Sequence, residues 1–307
     1  MTTLLDLTII VPNYNTKTLL RQCFSSIYSH TQGITFEVIC IDDNSSDGSA
    51  DMVAEEFPSV ILVHNKVGMM YAKNNNLGLK MSRARYACLL NSDTMIMANA
   101  FGALVSFMDE HPEADACTPT LLNSDGSIQS SVRRFPGVGV LILQGLNWHK
   151  LFPNGKVARD YYASNLDHSQ IQQIQAVGST ALVLRRHTWE TAGMLDERFP
   201  LFQVDLAYCY MLLKKGYKLY YTPCAKVIHF GSQSVNSVPK KSLQLIHKGF
   251  HDFNMHYDYF GKNIFTKLLV SLAISIRYRL KLAEFYFGRD KRVNNGPGRA
   301  KITPNPS

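Results

Sequence analysis

Four largely apolar runs of strand length, each followed by a helical pattern, fill the first 120 residues and constrain the fold more than any other feature. The runs are Leu7–Val11, Phe36–Ile41, Val60–Val63 and Tyr86–Leu90, nearly continuous in apolar character as strands buried on both faces are. Thr16–His30, Ala50–Phe57, Tyr71–Ser82 and Asn99–Glu110 instead space their apolar residues as helices do; in the first, Leu19, Leu20, Cys23, Phe24, Ile27 and Tyr28 fall at helical spacing. Strand–helix alternation with short connections predicts an α/β chain with a doubly wound, mostly parallel sheet.

Such sheets bind ligands just beyond the carboxyl ends of their strands. Three polar clusters fall there: Pro12-Asn13-Tyr14-Asn15, Asp42-Asp43-Asn44 and Asn91-Ser92-Asp93. Any one of them reads as a solvated loop, but three together point to one site. No GxGxxG follows the first strand and no GxxxxGK[ST] occurs, which argues against dinucleotide cofactors and P-loop chemistry. A strand end bearing Asp suits phosphates held through a divalent cation.

The remainder is less regular. Thr118–Ile174 shows an Asn123–Ser127 turn and then Arg133-Arg134-Phe135-Pro136. Ala176–Leu184 reads as one strand, His187–Ala192 as a short helix, and Leu206–Lys215 as a helix opened by Asp205. Lys218–Tyr221 and Lys226–His229 are short strand candidates. Beyond about residue 240 the chain reads as helical and basic, and 293–307, rich in Gly, Pro and Asn, as disordered. The expected division is a catalytic-size domain at 1–239, a helical extension at 240–292 and a tail at 293–307.

The net charge of +8 is concentrated in that extension and tail: residues 240–307 hold 13 Lys/Arg against four Asp/Glu, while 1–239 are close to neutral. Nucleic acid and anionic lipid both attract such a segment. The six cysteines are far apart with no CxxC pair, the pattern of buried thiols in a reducing compartment. Leu7–Val11 is too short for the apolar core of a leader, so no signal peptide is expected.

With these segments in order, the chain resembles family-2 inverting glycosyltransferases of the GT-A fold, closest to the rhamnosyltransferase-like group that builds bacterial surface polysaccharides. The resemblance spans about residues 6–235. It rests on Ile9–Asn15, Ile41–Ser49, Tyr71–Gly78 and Leu89–Thr94, then on Asp125-Gly126-Ser127 with Arg133–Pro136, and on Val227–Gly231. It implies transfer of a hexose, rhamnose among the candidates, from a nucleoside-diphosphate sugar to a saccharide acceptor, a lipid-linked one being expected, with Mn2+ or Mg2+ as cofactor.

The resemblance also implies roles. Asp93 and His229 would ligate the metal, with Asn91 where a first Asp is common and Ser92 between them. Asp42 and Asp43 would hold the nucleoside, Asp42 alternatively bracing the turn. Pro12 and Tyr14 would shape the base pocket, Lys73 would reach the diphosphate, and Arg133 and Arg134 would meet the acceptor. Asp205 would be the general base, because inversion needs one carboxylate to take the proton of the attacking hydroxyl. Around it the chain departs from the family stretch Asn-Asp-Val-Asp-Leu-Cys-Tyr-Arg: Val204, Ala207 and Met211 stand for the Asn, the second Asp and the Arg. Met70 also replaces a common glycine. These changes leave open a non-catalytic reading, a nucleotide-binding or scaffold protein of the same fold. A sugar nucleotidyltransferase is a further rival, but its Gly- and Arg-rich early loop is missing from Pro12–Asn15.

The segment Ile264–Ile276 is apolar for about thirteen positions, short of the roughly 20 needed to span a bilayer, and basic residues follow it. It reads as a helix lying on an anionic membrane surface. The expectation is a cytoplasmic protein, peripheral on the inner face of the cell membrane, without a nucleic-acid partner.

Overall fold

The computed structural model describes residues 4–135, 155, 161–231, 239–257 and 262–287. Its centre is a nine-stranded sheet. The first half follows the expected alternation: β1 (Leu5–Asn13), α1 (Lys17–His30), β2 (Phe36–Asp42), α2 (Ser49–Glu56), β3 (Ile61–His64), α3 (Met70–Met81), β4 (Ala84–Leu90), β5 (Thr94–Ile96) and α4 (Ala100–Glu110). There follow β6 (Ala116–Leu122), β7 (Val132–Arg133), β8 (Gln172–Ile174), β9 (Ala176–Val177), β10 (Ala181–Arg185), a wide helical turn at Thr188–Ala192, α5 (Val204–Lys214) and β11 (Leu219–His229). Two helices close the described chain, α6 (Pro239–His256) and α7 (Ile264–Tyr286).

The main sheet runs β3-β2-β1-β4-β10-β6-β11-β5, with β8 beside β11. β1, β2, β3 and β4 are parallel; β10 enters antiparallel between β4 and β6, and β6 and β11 run parallel to each other. The period-2 alternation of the strands sorts their side chains into two cores. Ile10, Ile39, Ile41 and Leu89 face one side with Ala72 and Leu79 of α3 and Tyr208 of α5. Ile9, Val11, Val38, Cys40 and Leu90 face the other with Phe24 of α1, Met52 of α2 and Phe101 of α4. This two-sided burial is why the strands read as continuous apolar runs. α3 lies so close to β1 that a Cβ on Gly78 would stand 2.3 Å from Ile10 Cγ2.

Three features differ from the sequence-based expectation. β6 was hidden because Thr118, Pro119 and Thr120 look like loop residues, yet every one of its seven residues is buried. The hydroxyls are satisfied inside: Thr118 Oγ1 donates to Ala181 O at 3.2 Å, and Thr120 Oγ1 lies 2.6 Å from Tyr221 OH. The run Ala176–Leu184 is two strands, split by Gly178-Ser179-Thr180. The two candidates at 218–229 are one strand, irregular between Tyr221 and Lys226.

The helical extension is not detached from the main body. Phe253 of α6 is fully buried and packs edge-on to Phe199 and Tyr210. Val270 and Ile274 of α7 join the same core, while Asn254 Nδ2 donates to Ser271 Oγ and Lys267 O. The tail 293–307 lies outside the described residues.

Candidate active site

The ends of β1, β2 and β4 and the start of β10 meet at one edge of the sheet, because Asn13 pairs with Asp42 and Leu90 with Ala181. A cavity of about 670 Å³ opens there. Side chains from the three predicted polar clusters form one hydrogen-bond network. Asn13 Nδ2 donates to Asp42 Oδ1 at 2.7 Å, Thr16 Oγ1 to Asn13 Oδ1 at 2.6 Å, and Ser92 Oγ lies 2.8 Å from Thr16 Oγ1. The single Thr16 proton goes to Asn13, so Ser92 is the donor in the last contact. The network holds the loops after β1, β2 and β4 in fixed register.

Pairing of β5 with β11 sets Thr94 opposite His229 and so brings Asp93 beside it. Phe230 N–H donates to Asp93 O at 2.9 Å, pinning the two segments. His229 Nε2 then lies 3.3 Å from Asp93 Oδ1. The imidazole is oriented from behind, with Nδ1 2.7 Å from Gln129 Oε1, while Gln129 Nε2 donates to Asn123 Oδ1 at 2.9 Å. With its amide nitrogen so committed, Gln129 offers oxygen to the ring, which puts the ring proton on Nδ1. Nε2, buried and without a hydrogen-bond partner, is the nitrogen turned to Asp93. A buried imidazole nitrogen facing a carboxylate fits a divalent cation. No group of three or more His, Cys, Asp or Glu residues suited to a metal occurs among the described residues. Two protein ligands are the number expected where substrate phosphates complete the shell.

Asp205 sits in the first turn of α5 and lines the same cavity. Its Oδ1 accepts a hydrogen bond from Ser179 Oγ. Burial raises its pKa above the ordinary aspartate value, and the Ser179 contacts act in the opposite direction. Val204 and Ala207 are buried in the core and Met211 packs against it, so the neighbours on α5 serve packing.

The other candidates separate by position. Pro12, Tyr14, Asp43, Asn91, Ser92 and Asp93 line the cavity. Asp43 also caps α3: its Oδ1 accepts from Met69 N at 2.7 Å and its Oδ2 from Met70 N at 2.9 Å. Asp42 is fully buried behind the wall, where it accepts from Asn13 and from Ser45 N, so its place is that of the turn brace. Lys73 is exposed on α3 and is not among the lining residues. Arg133 and Arg134 do not line the cavity either: Arg133 stacks over Tyr162, and Arg134 Nη2 donates to Asn165 Oδ1 at 3.3 Å.

Sequence reasoning missed Gln129, Ser179 and the contribution of α6, whose Ser242 and Leu245 reach the cavity wall. Gln129 had an indirect signal. The Asp125-Gly126-Ser127 turn, with Gly126 at φ +83°, folds the chain back so that Gln129 N–H meets Leu121 O at 2.8 Å. Ser179 had only the break that a small polar triplet makes in an apolar run.

Known proteins resemble this chain in sequence, and a solved structure resembles it in fold. A protein of Mycobacterium tuberculosis, N-acetylglucosaminyl-diphospho-decaprenol L-rhamnosyltransferase, is 24% identical over 230 residues, which cover 70% of this chain and 73% of that protein. The O-antigen biosynthesis protein RfbC of Myxococcus xanthus is 23% identical over 244 residues, 77% of this chain but 18% of that much longer protein. The crystal structure of GalNAc-T7 with UDP, GalNAc and Mn2+ superposes with a TM-score of 0.56 at 13% identity, covering 95% of this chain and 58% of that one. That last likeness is one of fold, the GT-A arrangement of a nucleotide-binding sheet. The family described as glycosyl transferase family 2 matches residues 8–173, more than half of the chain and the part that carries Asn13, Asp43 and Asp93. The chain therefore belongs to glycosyl transferase family 2 and is a glycosyltransferase.

Proposed function

We propose that this glycosyltransferase moves a hexose from a nucleoside-diphosphate sugar to a saccharide acceptor with inversion at the anomeric carbon. The observation that carries the reading is that Asp93, His229 and Asp205 line one cavity beside the polar loops of β1 and β2. Pro12, Tyr14 and Asp43 form the nucleoside end, and Asn91 and Ser92 shape the diphosphate loop. Asp93 and His229 would hold a divalent cation, Mn2+ or Mg2+, which when bound neutralises charge on the leaving diphosphate. Asp205 takes the proton of the acceptor hydroxyl. As the acceptor oxygen bonds to the anomeric carbon, the bond to the diphosphate breaks and its electron pair leaves with the nucleoside diphosphate. The raised pKa of Asp205 strengthens it as a base.

The donor sugar is proposed as rhamnose and the acceptor as a lipid-linked saccharide, by likeness to the mycobacterial relative, whose name specifies both. A lipid-linked acceptor places the enzyme at a membrane. No helix among the described residues is long and apolar enough to cross one. α7 nevertheless exposes Phe265, Leu269, Leu272 and Ile276 at helical spacing, with Arg279 also exposed. That combination suits peripheral attachment to an anionic inner face. In this reading 1–239 is the catalytic unit, and α6 and α7 of the 240–292 extension complete its core and carry the attachment.

The test is thermal stabilisation of the protein by UDP, GDP and dTDP and their hexose conjugates, with and without Mn2+ or Mg2+. Metal-dependent stabilisation by one nucleoside diphosphate supports the site and names the base. Stabilisation by none of them, in folded protein, overturns the donor assignment.

A further inference from the structure

Asp205 is a carboxylate that burial works against, on a helix whose adjacent side chains Val204, Ala207 and Met211 bring no polar group to it. Its partner comes instead from the segment between β9 and β10. Ser179 is itself buried, 4% exposed, and its hydroxyl proton is committed to Asp205 Oδ1. Tyr71 of α3 completes the chain: its OH lies 2.7 Å from Ser179 Oγ and 3.0 Å from Ser179 O. The tyrosine hydroxyl donates to Ser179 O, and its oxygen stands against Ser179 Oγ, so Tyr71 braces the residue whose hydroxyl donates to Asp205. On the other side, a Cβ on Gly178 would stand 3.9 Å from Asp205 Oδ2, so residue 178 brings no side chain against that oxygen.

We propose that Ser179, held by Tyr71, is the positioning residue for Asp205: it occupies Oδ1, fixes the carboxylate plane, and leaves Oδ2 for the acceptor hydroxyl. This rests on the reading of Asp205 as the base. The titratable groups that feel Asp205 are Tyr71 from α3 and Cys209 from its own helix. Both have raised pKa values, burial being the main cause, and remain neutral across the working range.

The experiment is a carbon-13 NMR titration of the full chain with aspartate labelled at Cγ, the Asp205 signal being assigned by its loss in Asp205→Asn. Ser179→Ala is expected to raise the Asp205 titration midpoint by about one pH unit, the amount that a lost hydrogen bond to a charged group supports. Tyr71→Phe, which keeps the ring and therefore the packing, is expected to raise it by less, and supplies the answer if Ser179→Ala does not fold. Unchanged midpoints in the folded variants would overturn the proposal. The base assignment is read separately, from release of nucleoside diphosphate from a nucleoside-diphosphate hexose by Asp205→Asn. Turnover equal to that of the native chain removes Asp205 as base, and the proposal with it, whatever the midpoints do.

Discussion

His229 Nε2 faces Asp93 Oδ1 at 3.3 Å because Thr94 and His229 are register partners across β5 and β11. The pairing brings the two proposed metal ligands together from segments early and late in the chain, and Gln129 holds Nδ1 so that Nε2 faces the carboxylate.

The role of Gln129 gives the first prediction. Without its carbonyl oxygen the ring loses the contact that fixes both tautomer and orientation. Gln129→Ala is expected to weaken Mn2+ binding roughly 10- to 100-fold, the usual effect of removing such a supporting contact. Titration of Mn2+ in the presence of saturating nucleoside diphosphate measures it. Affinity equal to that of the native chain would mean that His229 is not a ligand.

The second prediction separates catalysis from stability at Asp205. Burial raises its pKa, so ionisation opposes folding. That destabilisation is absent below the unfolded-state pKa, grows as pH rises, and is complete above the folded-state value. Asp205→Asn removes the charge and can still accept from Ser179. It is expected to be more stable than the native chain at about pH 8, with the difference shrinking toward about pH 4. Transfer should fall by roughly 100- to 10,000-fold while nucleotide binding persists. Denaturant unfolding at the two pH values, with turnover alongside, checks both halves. A variant destabilised at the higher pH would contradict the stated balance.

These two sites also show what sequence can and cannot carry. The sheet was legible because strands buried on both faces must be apolar throughout, and the three polar clusters at the strand ends stood out against them. Asp93 and Asp205 were singled out by their place in the segments that resemble the family, and the fold brings both to the one cavity. Gln129 and Ser179 were not, since their importance depends on pairings between distant strands, and neither residue type is unusual in a turn. β6 was lost for a related reason: Thr118 and Thr120 are polar in sequence but satisfied inside the core. Lys73 is the opposite case, a cation on a motif helix whose side chain the fold leaves exposed.

Met70, which stands where the family often has glycine, has φ +67° while donating its N–H to Asp43. A side chain there carries a left-handed penalty of about 1–2 kcal/mol. Met70→Gly relieves it but adds chain entropy to the unfolded state worth about 0.5–1 kcal/mol. The net change is expected to lie between zero and a gain of about 1.5 kcal/mol, whereas Met70→Val, β-branched at positive φ, should lose at least about 1 kcal/mol. Urea unfolding of the three proteins measures the series. A valine variant as stable as the native chain would show that the loop relaxes out of this conformation.

The last prediction concerns α7. Leu269 and Leu272 are 67% and 57% exposed, so charging them removes little internal packing, unlike Val270 and Ile274 on the opposite, core-facing side. On a membrane each leucine would contribute about 1.5–3 kcal/mol when fully inserted, and each nearby basic residue about 1 kcal/mol on an anionic surface. Losing both leucines therefore outweighs any single charge. Leu269→Asp with Leu272→Asp is expected to reduce binding to phosphatidylglycerol-containing vesicles by about 100-fold or more while leaving thermal stability and nucleotide binding unchanged. Binding by the native chain should also weaken on raising salt, and on replacing phosphatidylglycerol with phosphatidylcholine, because the basic residues contribute through screened charge. Vesicle co-sedimentation reads all three comparisons. If the double variant sediments like the native chain, the exposed stripe is not the attachment face; if the native chain ignores both salt and lipid charge, the basic residues of α7 take no part in attachment.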